Sequence, residues 1–166
     1  MPLADTGTVT SMMDNAIQNI TNNLPTTEDG VAAWDAAAQW APVATAFFSN
    51  MAVPSVTPLG VVAGESAFIT AAKEAVGSDN SMSDDGLAAG FKAYADALVA
   101  VPANIMPIPP ITHTSPTTSP EINLSAVAPS ETTLPATTIL YNQLLPWAVT
   151  GIQTTPGAPP VVAPWT

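Results

Sequence analysis

Eighteen prolines in 166 residues decide where this chain can be helical. Proline fixes φ and has no N–H, so a helix tolerates it in the first turn or on an outer face and rarely elsewhere. Prolines are sparse over the first hundred residues and come every few residues from Pro102 onward. The pattern predicts an all-α fold of about five helices in an irregular bundle, with a Pro-rich extended crossover and an extended C-terminal tail. In sequence terms, 1–101 is an N-terminal helical body of four helices and 102–130 a Pro/Thr-rich extended segment. A short C-terminal helix that packs on the body falls in 131–151, and 152–166 is the Pro-rich tail.

Apolar spacing locates the helices. Met13, Ile17, Ile20 and Leu24 form one face of a helix over 11–24, with Ser11 and Asp14 as a loose capping box and Pro25 as the stop. A 100° wheel over 30–52 collects Trp34, Ala37, Trp40, Ala41, Ala44, Phe47, Phe48 and Met51 on one face. Asp35, Pro42 and Ser49 fall opposite, so a single long helix is expected to bend at Pro42 around the core, with Glu28 and Asp29 at its positive end. Val61, Phe68, Ile69, Ala72 and Val76 predict a third helix over 62–76, stopped by Gly77. Leu87, Phe91, Tyr94, Leu98 and Val101 predict a fourth over 84–101, with Ser83 as N-cap and Lys92–Asp96 paired outside. Pro135 opens a fifth over 135–146, which turns Leu140, Leu144 and Trp147 to one side. "DGVAAWDAA" from Asp29 and "DGLAAGFKA" from Asp85 share a register, and both lead to an Ala-Val-Pro exit. Ala-rich sequence matches itself readily, so duplication and chance both remain open.

Composition narrows function. Thirteen acidic residues stand against two lysines and no arginine, a net charge of −11, which opposes binding to nucleic acid or to anionic membrane. No apolar run approaches the ~18 residues of a membrane span. The opening "MPLADTGTVT" lacks the basic start and apolar run of a conventional signal peptide. With no cysteine and one histidine, His113, neither a thiolate nor a zinc site can be assembled. No G-x-S-x-G elbow or phosphate loop is present. The Asp79–Gly86 loop alternates oxygen-bearing side chains like a calcium loop, but its twelfth position is Gly90, so capping carboxylates account for it better. Glu65 reads as a first-turn carboxylate without a perturbing partner. No catalytic residue, cofactor or metal is therefore expected.

The remaining candidates are contact residues. Extended polyproline reaches ~3.1 Å per residue, so the last eleven residues could span roughly 30 Å. Trp165 on that strip is a plug with a large area and few rotors, either for its own domain or for a pocket on a neighbour. The candidate inter-subunit contacts are Ile105, Met106 and Ile108 in the crossover, Trp147, and Pro159, Pro160, Val161, Val162, Pro164 and Trp165 in the tail.

Three stretches carry a resemblance: "WDAAAQWAPVATAFFSNMAVPSV", "GLAAGFKAYADALVAVPANIMPIPP" and the ending "WAVTGIQTTPGAPPVVAPWT". Their texture resembles the small Ala/Pro-rich virion structural proteins of tailed bacteriophages, especially contractile-tailed ones. The resemblance implies a non-enzymatic virion component assembled in the host cytoplasm. Its partners would be other virion proteins and copies of itself in a symmetric ring or shell of tail, baseplate or neck, with capsid decoration as the alternative. Secreted Ala-rich helical bacterial proteins are a further alternative. Their W-x-G turn is missing at Trp34-Asp35-Ala36, and their Y-x-x-x-D/E signal is missing because Leu98 and Leu145 follow Tyr94 and Tyr141.

Overall fold

The computed structural model describes residues 6–27, 29–30, 35–49, 51, 56–73, 82–100, 111–124, 127 and 132–166. Among them are five helices, α1 (Thr6–Asn22), α2 (Ala36–Phe48), α3 (Pro58–Lys73), α4 (Asp84–Ala100) and α5 (Leu134–Ala148). Three short strands, β1 (Thr112–Thr114), β2 (Ile152–Thr155) and β3 (Val161–Pro164), form one antiparallel sheet in that order. The chain is thus mostly helical but not purely all-α. The tail expected to run as an extended strip is a hairpin, and part of the crossover supplies its third strand.

Local chemistry explains where the helices start. α1 begins earlier than its Met13–Ile17 stripe suggested because Val9, one turn before, is also buried. Ser11 lies inside the helix and donates to the Gly7 carbonyl at 2.8 Å, so it caps nothing. The long helix expected over 30–52 is shorter: Asp35 leaves helical geometry (φ −103°, ψ 89°) and its carboxylate accepts the Ala38 N–H. A short acidic side chain that satisfies a first-turn donor starts a new helix whatever the apolar face continues to say. Burial opposes ionisation of that carboxyl, but the Lys73 ammonium at 2.7 Å and the Ala38 and Ala37 N–H groups outweigh it and hold it below its usual range. α3 begins at Pro58, with the Thr57 hydroxyl accepting the Gly60 N–H at 3.1 Å. The Ser83 cap and the Lys92–Asp96 pair stand as the sequence predicted, at 3.0 and 2.6 Å. Asp29 and Gly30 are helical well before the Asp35 cap, whereas Asp85 and Gly86 open α4 itself, so the two similar stretches sit differently in their helices. Trp34 and Val101 lie outside the described residues.

α3 and α4 are the most closely packed pair. An added Cβ at Gly64 would sit 2.5 Å from the Tyr94 ring, and one at Gly90 would sit 2.7 Å from the Phe68 ring. Each helix therefore leaves out a side chain where the other inserts an aromatic. Phe48 stacks on Tyr94 at 4.9 Å and 11°; Phe47 meets Phe48 edge-on, Phe91 lies tilted against Phe48, and Phe68 is edge-on to Phe91. α1 and α5 close the far side. Asp14, 9% exposed, accepts the Thr133 and Thr137 hydroxyls at 2.6 and 2.9 Å and the Gln18 amide at 2.7 Å.

The described part of the crossover, 111–124, is fastened to its own body. The Leu124 N–H donates to Asp84, the Asn123 N–H to Gln143, and the Thr118 carbonyl accepts from the Trp147 indole at 2.6 Å. Ser115 donates to Asp96, while Pro116 and Pro120 are buried. Side chains on α4 and α5 take up hydrogen-bonding groups that no ladder satisfies, so this stretch lies against its own body.

Candidate interaction surface

The hairpin is built around its last aromatic residue. Trp165 is fully buried in its own chain. Its backbone N–H donates to the Gly151 carbonyl at 2.8 Å, and its indole N–H to the Ile152 carbonyl at 3.3 Å. The ring lies flat on Gly151, where a Cβ would come within 2.4 Å of it. Trp147 is 6% exposed and packs edge-on against Phe48. Both tryptophans were candidate inter-subunit contacts, and the structure corrects both: a glycine seat and a carbonyl acceptor within the chain already occupy them. Ile105, Met106 and Ile108 lie outside the described residues. Pro159, Pro160, Val161, Val162 and Pro164 are exposed, with Val161 at 63% and Val162 at 60%.

Strand register sorts the sheet's side chains into two faces. Thr112 pairs with Thr154 and Thr114 with Ile152, while Ile152 pairs with Pro164 and Thr154 with Val162. One face thus carries two cross-strand rows, Thr112–Thr154–Val162 and Thr114–Ile152–Pro164. Of these six, Thr154 is half-buried and the other five are exposed. The other face carries His113, Gln153 and Ala163, all half-buried, and continues to Trp165. Solvated antiparallel sheets ordinarily turn polar side chains out and apolar ones in. Here a histidine and a glutamine face inward, while isoleucine, valine and proline face out among threonines.

The β3 edge is nearly closed. The Trp165–Gly151 hydrogen bond fixes the phase of the ladder, and its alternation turns the Val161 and Ala163 backbone groups toward β2. Val162 and Pro164 then face the open edge, and Pro164 has no N–H. Within the strand, Val162 offers the one outward donor, and proline at an edge discourages strand addition. Residues 132–166 contain no Asp, Glu, Lys, Arg or His, so all thirteen acids lie at or before Glu131. The outer face is exposed, uncharged and approachable from the front.

A polar cluster joins α2, α3 and α4. Thr45 donates to Glu65 at 2.7 Å and its hydroxyl lies 3.0 Å from that of Tyr94. Because α3 starts at Pro58, Glu65 is in its third turn and not, as the sequence suggested, in its first. Burial raises the Tyr94 phenol above its usual range, the Thr45 hydrogen bond acts the other way, and the Glu65 charge adds to the rise. Burial lowers His113, whose Nδ1 is buried without a hydrogen-bond partner. Among the described residues no three acidic or histidine side chains could hold a metal ion, and no helix is long and apolar enough to cross a membrane. Residues 79–81 of the calcium-like loop lie outside the described residues, while Asp84 accepts from Leu124.

No protein-family model, curated protein or solved structure matches the chain.

Proposed function

We propose that this chain is a non-enzymatic structural subunit of a bacteriophage virion, placed in a tail, baseplate or neck assembly. The observation that carries the reading is the outer face of the C-terminal sheet, uncharged and made half of threonines and half of aliphatic side chains, on a chain of net charge −11. A face that turns isoleucine, valine and proline to solvent on a rigid base is a surface for another protein. Trp165 and Gly151 supply the rigid base, so the face is held in shape before any partner arrives, which reduces the ordering cost of association. The Ala/Pro-rich texture shared with small virion proteins of contractile-tailed phages supports the same reading. Contact in this account runs through the folded sheet and not through a loose arm.

The test is quantitative mass spectrometry of purified particles of the phage that encodes the chain, fractionated into heads and tails. Recovery in fixed ratio to tail, baseplate or neck proteins is the expected result. Recovery with tail-free heads moves the subunit to capsid decoration, and absence from purified particles overturns the proposal.

A further inference from the structure

We infer that His113 is an acid-sensitive latch: its neutral ring lets β1 close onto α4, and its protonation releases the strand and loosens the hairpin paired to it. The device belongs to the fold and does not depend on where the chain assembles.

Register places the ring. His113 pairs with Gln153 and Gln153 with Ala163, and the three side chains share the inner face of the sheet. Ser115, two residues on and therefore on the same side, donates to Asp96 of α4. The inner side of β1 is thus the one turned to that helix, which β1 also contacts directly. The Trp165–Gly151 bond sets the phase of the ladder and makes His113–Gln153 a pair without backbone hydrogen bonds, the closer of the two kinds.

Hydrogen bonding selects the protonation state. Nδ1 of His113 is buried and has no partner. A neutral imidazole can keep its proton on Nε2 and leave Nδ1 as an idle acceptor, whereas the imidazolium carries an N–H on both nitrogens. A buried N–H without an acceptor, charged as well, is the costlier state. Burial accordingly holds the ring below the usual histidine range.

The surroundings offer the charged ring little compensation. β2, β3 and residues 101–112 contain no ionisable side chain, and the Gln153 amide donates to Thr155. The charged groups of α4 are Asp84, Asp85, Lys92 and Asp96. Asp84 and Asp85 lie in its first turn, three turns from Asp96, and Glu121 on the crossover is exposed. Asp96 is held by Lys92 at 2.6 Å and by Ser115, so an ammonium already offsets the carboxylate on this side.

Detachment brings the ring to water. The strands are three and four residues long, and short strands persist only with a packed face. With β1 gone a two-stranded hairpin remains, which is marginal by itself, so the loss is felt as far as Trp165.

His113 is the chain's one histidine, so its ring protons titrate alone in the NMR spectrum of the full chain. The expected midpoint lies below ~6.5, the value of a free histidine. Amide exchange is measured between pH 7.5 and 5, each rate divided by that of an unstructured chain at the same pH. Protection at Thr114 and Trp165 should fall as pH drops below ~6.5, by at most about tenfold per unit, the limit for one proton. At each pH Phe91 and Tyr94 in α4 should stay better protected, because the helices remain folded when the strand leaves. His113→Gln should remove the pH dependence, and His113→Phe serves where the glutamine variant fails to fold. A midpoint at or above ~6.5 would mean that Asp96 pairs with the charged ring, and overturns the latch. So does protection that is equal in sheet and helix, that does not fall with acid, or that falls alike in parent and variant.

Discussion

Replacing Trp165 by alanine tests how the sheet is held. A buried tryptophan hides roughly 150–250 Å², which at ~25 cal/mol per Å² is about 4–6 kcal/mol of transfer free energy. Truncations of buried Phe and Trp in protein cores cost ~3–5 kcal/mol, so about 4 kcal/mol is expected for this fully buried side chain. That is a large share of the ~5–15 kcal/mol by which domains are stable. Gly151 and Trp165 join the hairpin to the helical body, and β1 adds a contact with α4. Urea unfolding followed by circular dichroism should lower the midpoint by roughly 2 M at an ordinary slope. Thermolysin should cut 151–166 in the variant under conditions that spare the parent. Gly151→Ala, whose Cβ would meet the indole at 2.4 Å, should produce a milder version, about 1–3 kcal/mol. A Trp165→Ala loss under ~1 kcal/mol, within the range of ordinary surface changes, would refute the reasoning.

Gly64→Ala should lower the melting temperature through a loss of about 1–3 kcal/mol, because its Cβ would lie 2.5 Å from the Tyr94 ring. Gly7→Ala, with nothing within 4 Å, should raise it through a gain of about 0.5–1 kcal/mol, and both are read from thermal melts. Asp14→Ala removes the acceptor shared by Thr133, Thr137 and Gln18 and should cost at least ~1.5–3 kcal/mol, one hydrogen bond to a charged group, in chemical denaturation. His113 is lowered by burial, so the folded chain binds its proton less readily than the unfolded one. Its contribution is complete above ~6.5 and is lost as pH falls through the folded value. His113→Gln should flatten stability between pH 7 and 5, and parallel losses in parent and variant would count against the assignment.

Helices were legible where burial and capping agree. Leu87, Phe91, Tyr94 and Leu98 are buried as their spacing implied, and Ser83 caps them. The second helix was overextended because the wheel counts only apolar positions, whereas the Asp35 carboxylate resets the backbone through one hydrogen bond. The hairpin was hidden by proline content. Its signal was present as two runs, "IQTT" and "VVA", flanking the "PGAPP" turn, a strand–turn–strand pattern. What no spacing rule reveals is the seat of Trp165 on Gly151, since the two residues come together only when the ladder forms. The same seat decides the contact surface: with the indole spent inside, the exposed residues Val162 and Pro164 become the ones available to a partner.

Amide hydrogen exchange across 161–165, measured by NMR on dilute chain where copies do not meet, tests most directly whether this sheet closes on its own body. Slow exchange at Val161, Ala163 and Trp165 alternating with fast exchange at the outward-facing Val162 is the predicted result. Fast exchange at all four would mean that the tail is loose until a neighbour holds it, and would contradict the account.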